Sequence, residues 1–275
     1  MILIEAGATT TKVCQILQQQ SSEVKLFRGI NPNYNSDRQM IEIFEKVFAA
    51  FSPDNTLQYY GAGCAKKAAQ AKIISCMEAG HKFEKIRVDT DLLASARALA
   101  GNKSGQINIL GTGSASCLYN GQQIEKIYLN TGFLFGDYGS GFDIGKNLLK
   151  AYFEDQLSAE ATKYIEQFSG LDKPDLIKSI YATESAKSSI ANFAKCAYDL
   201  RQDRTIAEVI TKCLDHFIRF QIQRNSKYQE SAQYFSGSIA YFFKDELSKS
   251  LSKSNLSLSG LCKSPIENLI QYHLT

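Results

Sequence analysis

Apolar positions along the first hundred residues switch between two periods. Ile2-Leu3-Ile4 is a short unbroken apolar run that breaks at Gly7, as a fully buried strand does. Residues 12–17 and 24–29 read as two further strands. Over 37–51, Met40, Ile41, Phe44, Val47, Phe48 and Phe51 recur at helical spacing. Ser36 stands at the N-cap position, Gln39 supplies the other half of a capping box, and Pro53 stops the helix. A strand over 57–60 ends in Gly61-Ala62-Gly63, and an Ala-rich helix follows over 64–78. Residues 85–88 then read as a strand and 91–100 as a helix. Three strands extended by two more through helical crossovers predict an α/β layer fold.

Asn102-Lys103-Ser104-Gly105 is a polar, turn-rich break, after which the pattern restarts. Residues 107–110 form a strand broken at Gly111-Thr112-Gly113-Ser114. Strands over 115–119 and 124–129 flank Asn120-Gly121, a hairpin signal. A mostly helical stretch spans 142–225, interrupted near Gly170 and Pro174, with Ile206, Val209, Ile210, Cys213, Leu214 and Phe217 on one face. The chain finishes as strand (232–235), helix (239–250), strand (256–261) and helix (265–272). The second half repeats the element order of the first with an added helical block. The expected domains are therefore 1–103 and 104–275, the last helix packing back on the first.

Composition narrows the function. The chain has 275 residues, 44% apolar and 21% charged, which suits two globular domains. A net charge of +3 gives no electrostatic case for nucleic acid or a membrane surface. No apolar run approaches the length of a membrane span. The opening Met1-Ile2-Leu3-Ile4-Glu5 lacks the basic region of a signal peptide. The seven cysteines are odd in number, scattered and without a CxxC. Reduced thiols in a cytoplasmic protein are expected.

Two glycine turns each follow an apolar strand at the start of a half: Glu5-Ala6-Gly7-Ala8-Thr9-Thr10-Thr11 and Gly111-Thr112-Gly113-Ser114. Bare Cα atoms, convergent N–H groups and short hydroxyls suit phosphate, although either turn alone also reads as an ordinary hairpin. Asp91 follows the strand at 85–88, with Asp89 beside it. Either also suits a helix cap or first-turn acid.

Five segments together resemble a known family. Asn108-Ile109-Leu110-Gly111-Thr112-Gly113-Ser114 is similar to the second phosphate segment of N-acetylglucosamine kinases. Gly132-Phe133-Leu134-Phe135-Gly136-Asp137-Tyr138-Gly139-Ser140-Gly141 resembles their Gly-Asp-Glu-Gly-Ser segment. Phe235-Ser236-Gly237-Ser238-Ile239-Ala240 resembles their adenosine-contacting turn. Gly29-Ile30-Asn31-Pro32 resembles the sugar-side loop of bacterial relatives, and Tyr59-Tyr60-Gly61-Ala62-Gly63-Cys64 another shared segment. The ordered set resembles the BadF/BadG/BcrA/BcrD ATPase family on its N-acetylglucosamine kinase-like branch, within the actin, hexokinase and heat-shock ATPase superfamily.

The resemblance implies two ribonuclease-H-like domains with a cleft between them and a homodimer. It implies ATP and Mg²⁺ as cofactors and a sugar as substrate, with phosphate going to the 6-hydroxyl of an amino sugar. Asp91 would be the catalytic base. Gly7, Ala8, Thr9, Thr10, Gly111, Thr112, Gly113 and Ser114 would hold the phosphates, and Gly237 and Ser238 the adenosine. Asn31, Thr112, Asn130, Gly132 and Asp137 would join Asp91 around the sugar. Asn31-Pro32, Asp137 and Gly237-Ser238 also suit plain turn and helix-start roles. The first turn departs from the family, whose opening residue is usually Asp. Here Glu5 would reach Mg²⁺ through water, one methylene farther out. That departure keeps a catalytically weakened nucleotide or sugar sensor open as a second reading. A third, an electron-transfer ATPase with a cysteine-held iron–sulfur cluster, lacks the expected cysteine motif.

Overall fold

The computed structural model describes every residue except Ala8, Pro53, Asn130, Glu184 and Thr275. Contacts divide the chain into two units, residues 1–103, 121–123 and 264–275 in one and residues 104–120 and 124–263 in the other. The first unit opens with β1 (Ile2–Ala6), β2 (Thr10–Leu17), β3 (Gln20–Ser21) and β4 (Lys25–Arg28). Then come α1 (Asp37–Ala49), β5 (Thr56–Gly61), α2 (Lys67–Glu78), β6 (Lys85–Thr90) and α3 (Asp91–Leu99). β2 runs antiparallel to β1, while β5 and β6 extend the sheet in parallel on the other side. β3 and β4 both pair with β2.

Side chains alternate across the sheet, so each strand feeds two layers. Ile2, Ile4, Val13, Leu57 and Tyr59 pack with Met40, Phe44 and Val47 of α1 and Ile73 of α2. Leu3, Cys14 and Tyr60 face the opposite layer, with Ala94 of α3 and three residues from the end of the chain, Ile266, Leu269 and Ile270. α1 starts as its sequence requires: Ser36 Oγ accepts from Gln39 N and the Gln39 side chain returns to Ser36 N, a complete capping box.

The second unit repeats this plan with β7 (Gly105–Leu110), β8 (Ser114–Tyr119) and β9 (Ile124–Ile127) as the antiparallel strands. A helical block intervenes: α4 (Gly132–Phe135), α5 (Gly141–Phe153), α6 (Ala159–Ser169), α7 (Lys173–Ala182), α8 (Ala186–Asn192), α9 (Ala194–Asp199) and α10 (Arg204–Phe217). A π-helical turn over Ile218–Ile222 continues α10. Next are β10 (Gln233–Ser236), α11 (Ser238–Phe242), α12 (Lys244–Ser252) and β11 (Leu258–Cys262), giving the strand order β11-β10-β7-β8-β9. β10 is parallel to both β7 and β11. Finally α13 (Ile266–Leu274) belongs with the first unit.

Two helices differ from the sequence reading. The Ala-rich helix starts at Lys67, not 64, because Gly63 takes a left-handed turn (φ +82°) and Cys64 is buried. The helix expected over 239–250 is two helices, with buried Phe243 turning between them at φ −96° and ψ 32°. The helical block is interrupted near Gly170 and Pro174 as expected, and Pro174 itself sits inside a helix. It lies in the first turn of α7 behind the Asp172 cap, where no N–H is missed, and the break belongs to left-handed Gly170 (φ +67°) at the end of α6.

Among the described residues no helix is long and apolar enough to cross a membrane. Cys14, Cys64 and Cys76 are buried in the first unit and Cys117, Cys196 and Cys213 in the second, while Cys262 is partly exposed.

Candidate functional site

The parallel register of the first unit brings three strand ends level. Ala6 of β1 lies opposite Gly61 of β5, and Gly61 opposite Thr90 of β6. Open α/β sheets place their chemistry beyond such carboxyl ends. Asp91 is the first residue after β6 there. Thr90, not either acid, caps α3, its hydroxyl accepting from Leu93 N at 3.1 Å. Asp91 Oδ1 instead accepts from Leu92 N at 2.9 Å. Burial pushes the Asp91 carboxyl up to about 6; the Leu92 N–H opposes the rise and the charge of Glu5 adds to it. Asp89 is engaged elsewhere, accepting from Gln58 Nε2 at 2.9 Å and pairing with Arg97 at 3.7 Å.

The other first-unit residues gather around this edge. Gly7 N donates to Thr10 O at 3.0 Å, closing the first glycine turn, and Gly29 N donates to Thr9 O at 3.1 Å. That second bond ties the turn to the loop carrying Asn31. The Asn31 side chain is turned inward: Oδ1 accepts from Asn33 N at 3.0 Å. A Cβ on Gly63 would fall 2.6 Å from that same Oδ1, so the Asn31 loop lies directly on the turn after β5. Lys72 of α2 secures the loop by donating to Pro32 O and Asn35 O.

Glu5, opposite Lys12 in the β1–β2 register, lies 3.5 Å from the Lys12 ammonium and accepts from Ser264 Oγ at 3.3 Å. Burial raises its carboxyl pKa, against the pull of Lys12 and Ser264. Tyr59 Oη is buried near these acids with no hydrogen-bond partner among the described residues, and burial pushes its pKa well up. No group of three His, Cys, Asp or Glu suited to a metal occurs among the described residues.

In the second unit the glycine turn after β7 is closed by Gly111 N donating to Gly113 O at 2.9 Å. The start of α5 lies on it, with Gly141 N donating to Gly111 O and Phe142 N to Thr112 O. Asp137 is 2% exposed, and its Oδ1 accepts from Ser114 N at 3.1 Å. Gly237 follows the neighbouring strand β10 at φ +108°, where a Cβ would meet Leu110 O at 2.3 Å. Only glycine passes there, and exposed Ser238 then opens α11. The structure thus brings Gly111, Thr112, Gly113, Ser114, Asp137 and Gly237 together. Gly132 opens α4 at φ +72° with open space over its Cα. Ala8 and Asn130 lie outside the described residues.

Sequence reasoning missed Lys12 and Ser264, which engage Glu5, and Lys187 of α8, whose ammonium lies 2.7 Å from Asp137 Oδ2. Lys12 alternates on a strand like any solvated lysine. Ser264 and Lys187 reach their partners only through the fold, and no local pattern marks them.

Neither a protein-family model nor a curated protein matches the chain. Solved structures do. One, from Porphyromonas gingivalis and named as a candidate N-acetylglucosamine kinase, is 26% identical over all of this chain and 98% of its own, with a TM-score of 0.89. Another so named, from Chromobacterium violaceum, is 14% identical over 100% and 99%, with a TM-score of 0.76. A ROK family glucokinase from Streptomyces griseus, in complex with glucose and AMPPNP, is 10% identical over 99% and 97%, with a TM-score of 0.59. The chain has the two-domain actin-like ATPase and sugar kinase fold.

Proposed function

We propose that this chain is an ATP-dependent sugar kinase that phosphorylates an amino sugar, N-acetylglucosamine at its 6-hydroxyl being the first substrate to test. The observation that carries the reading is Asp91: a carboxyl at the carboxyl end of the sheet, pushed up to about 6 by burial, where a base working near neutral pH belongs. The full-length likeness to the Porphyromonas gingivalis protein, itself named as a candidate N-acetylglucosamine kinase, supports the substrate class.

In this reading Asp91 accepts the proton of the sugar hydroxyl. The hydroxyl oxygen bonds to the γ-phosphorus, the bond to the bridging oxygen breaks, and ADP leaves. Asn31, Thr112, Gly132 and Asp137 are proposed sugar contacts, as is Asn130. Gly7, Thr9, Thr10 and the 111–114 turn, with Ala8, are the proposed phosphate contacts. Gly237 and Ser238 are those for adenosine.

Mg²⁺ takes oxygen ligands and keeps several waters rather than requiring a protein cage. Glu5, whose charge Asp91 feels, is the proposed acid for an ion shared with waters and phosphate oxygens. Glu5 would hold it through water, and the ion would offset phosphate charge.

The test is ADP release from Mg-ATP against a panel of hexoses and amino sugars, with Asp91→Asn alongside. Release dependent on one amino sugar is expected, falling about 10²- to 10⁴-fold in the variant. ATP binding without sugar-dependent release would sink the kinase reading. It would favour a nucleotide sensor, for which the engagement of Glu5 by Lys12 and Ser264 is the structural argument.

A further inference from the structure

An ion pair rests on the second glycine turn. Lys187 of α8 places its ammonium 2.7 Å from Asp137 Oδ2. A Cβ on Gly113 would fall 2.8 Å from that oxygen and 2.9 Å from that nitrogen. Both charges therefore lie against the bare Cα of the turn. The carboxylate is committed on its other side to Ser114 N at 3.1 Å, and Asp137 holds a left-handed backbone (φ +52°) that non-glycine residues seldom adopt. The Lys187 side chain is 26% exposed and that of Asp137 2%.

A buried ion pair is a weak device for stability, since apolar residues of similar volume often do as well. A cation laid over a glycine turn has a clearer chemical use. Backbone N–H groups offer only partial charges to a polyphosphate. A lysine ammonium adds a full charge and three donors, of which one can stay on Asp137 while two face phosphate oxygens.

Resting on the kinase reading, we propose that Lys187 is a nucleotide-binding residue: its ammonium takes the terminal phosphates of ATP at the second glycine turn. Asp137 holds it in position before the nucleotide arrives.

The test is calorimetric titration of ATP and adenosine into the wild type, Asp137→Asn, Lys187→Met and the double variant, with thermal melting alongside. Lys187→Met strands a buried carboxylate, and the double variant removes both charges should the single variant fail to fold. Loss of Lys187 should weaken ATP about tenfold or more and leave adenosine unchanged. Asp137→Asn, which removes the positioning carboxylate, should weaken ATP by less than Lys187→Met does and leave adenosine unchanged. An unchanged ratio of ATP to adenosine affinity in the double variant, however far its melting temperature falls, overturns the inference and leaves the kinase reading standing. A wild type that binds ATP no better than adenosine overturns both.

Discussion

Burial of Asp91 sets its chemistry and its effect on stability together. Its carboxyl titrates at about 6 in the fold against roughly 3.9 in an unfolded chain. The folded protein therefore holds the extra proton between those values. The stabilisation this gives is fully present below the unfolded value and is lost as pH rises through the folded one. Asn cannot ionise, so Asp91→Asn should stabilise the protein at pH 8 by about 1–3 kcal/mol and change little at pH 4. Urea unfolding at both values checks this, and equal effects at both would show that the carboxyl does not titrate as described. Residue pattern alone left Asp91 and Asp89 as competitors, and only the family resemblance favoured Asp91. What parts them is the passage from strand to helix: Asp89 stays in β6, engaged by Gln58 and Arg97, while Asp91 opens α3. Asp137 was legible as a residue, whereas Lys187 was not, because only the fold brings α8 to the glycine turn.

Elements were legible where their signals were local. Ser36 and Gln39 announce α1, and the apolar run of β1 announces a strand covered on both faces. The helical block was legible only as a mass. Its breaks depend on which face of each helix is covered, and amphipathic spacing continues across several of them. The last helix illustrates what spacing does not convey. α13 packs against α3, and His273 on it lies with Nε2 2.9 Å from the Tyr60 hydroxyl, which also accepts from Arg97. Burial lowers the His273 pKa to about 4, with Arg97 and Arg87 adding to the fall. A depressed histidine favours folding above its unfolded value of about 6.5 and loses that contribution as pH falls toward 4. Amide exchange over 266–274 should therefore accelerate between pH 7 and pH 4.5, beyond the intrinsic change, more than exchange in α1. His273→Gln should blunt the difference. Equal acceleration in the two helices would remove His273 as the cause.

Across the whole molecule, one strand order occurs twice without a sequence repeat to betray it. The order was legible because antiparallel strands followed by parallel ones leave the same mark in both halves. The return of the last helix to the first unit rests on Ile266, Leu269 and Ile270, which complete one face of its sheet. Burying each contributes about 1.5–3 kcal/mol, so together they rival the net stability of an ordinary domain. Ending the chain after Lys263 should therefore unfold β1–β6 while β7–β11 keep their amide protection. Exchange mass spectrometry of the shortened chain checks this, and equal loss of protection in both sheets would refute it. The buried cysteines add a practical consequence. Each unit encloses three thiols, and burial pushes that of Cys14 up to about 11 and those of Cys64 and Cys196 up to about 12. An alkylating reagent meets neither set until its unit opens. A brief pulse of reagent, followed by weighing the tagged peptides, would time the opening of the two halves separately within one unaltered chain.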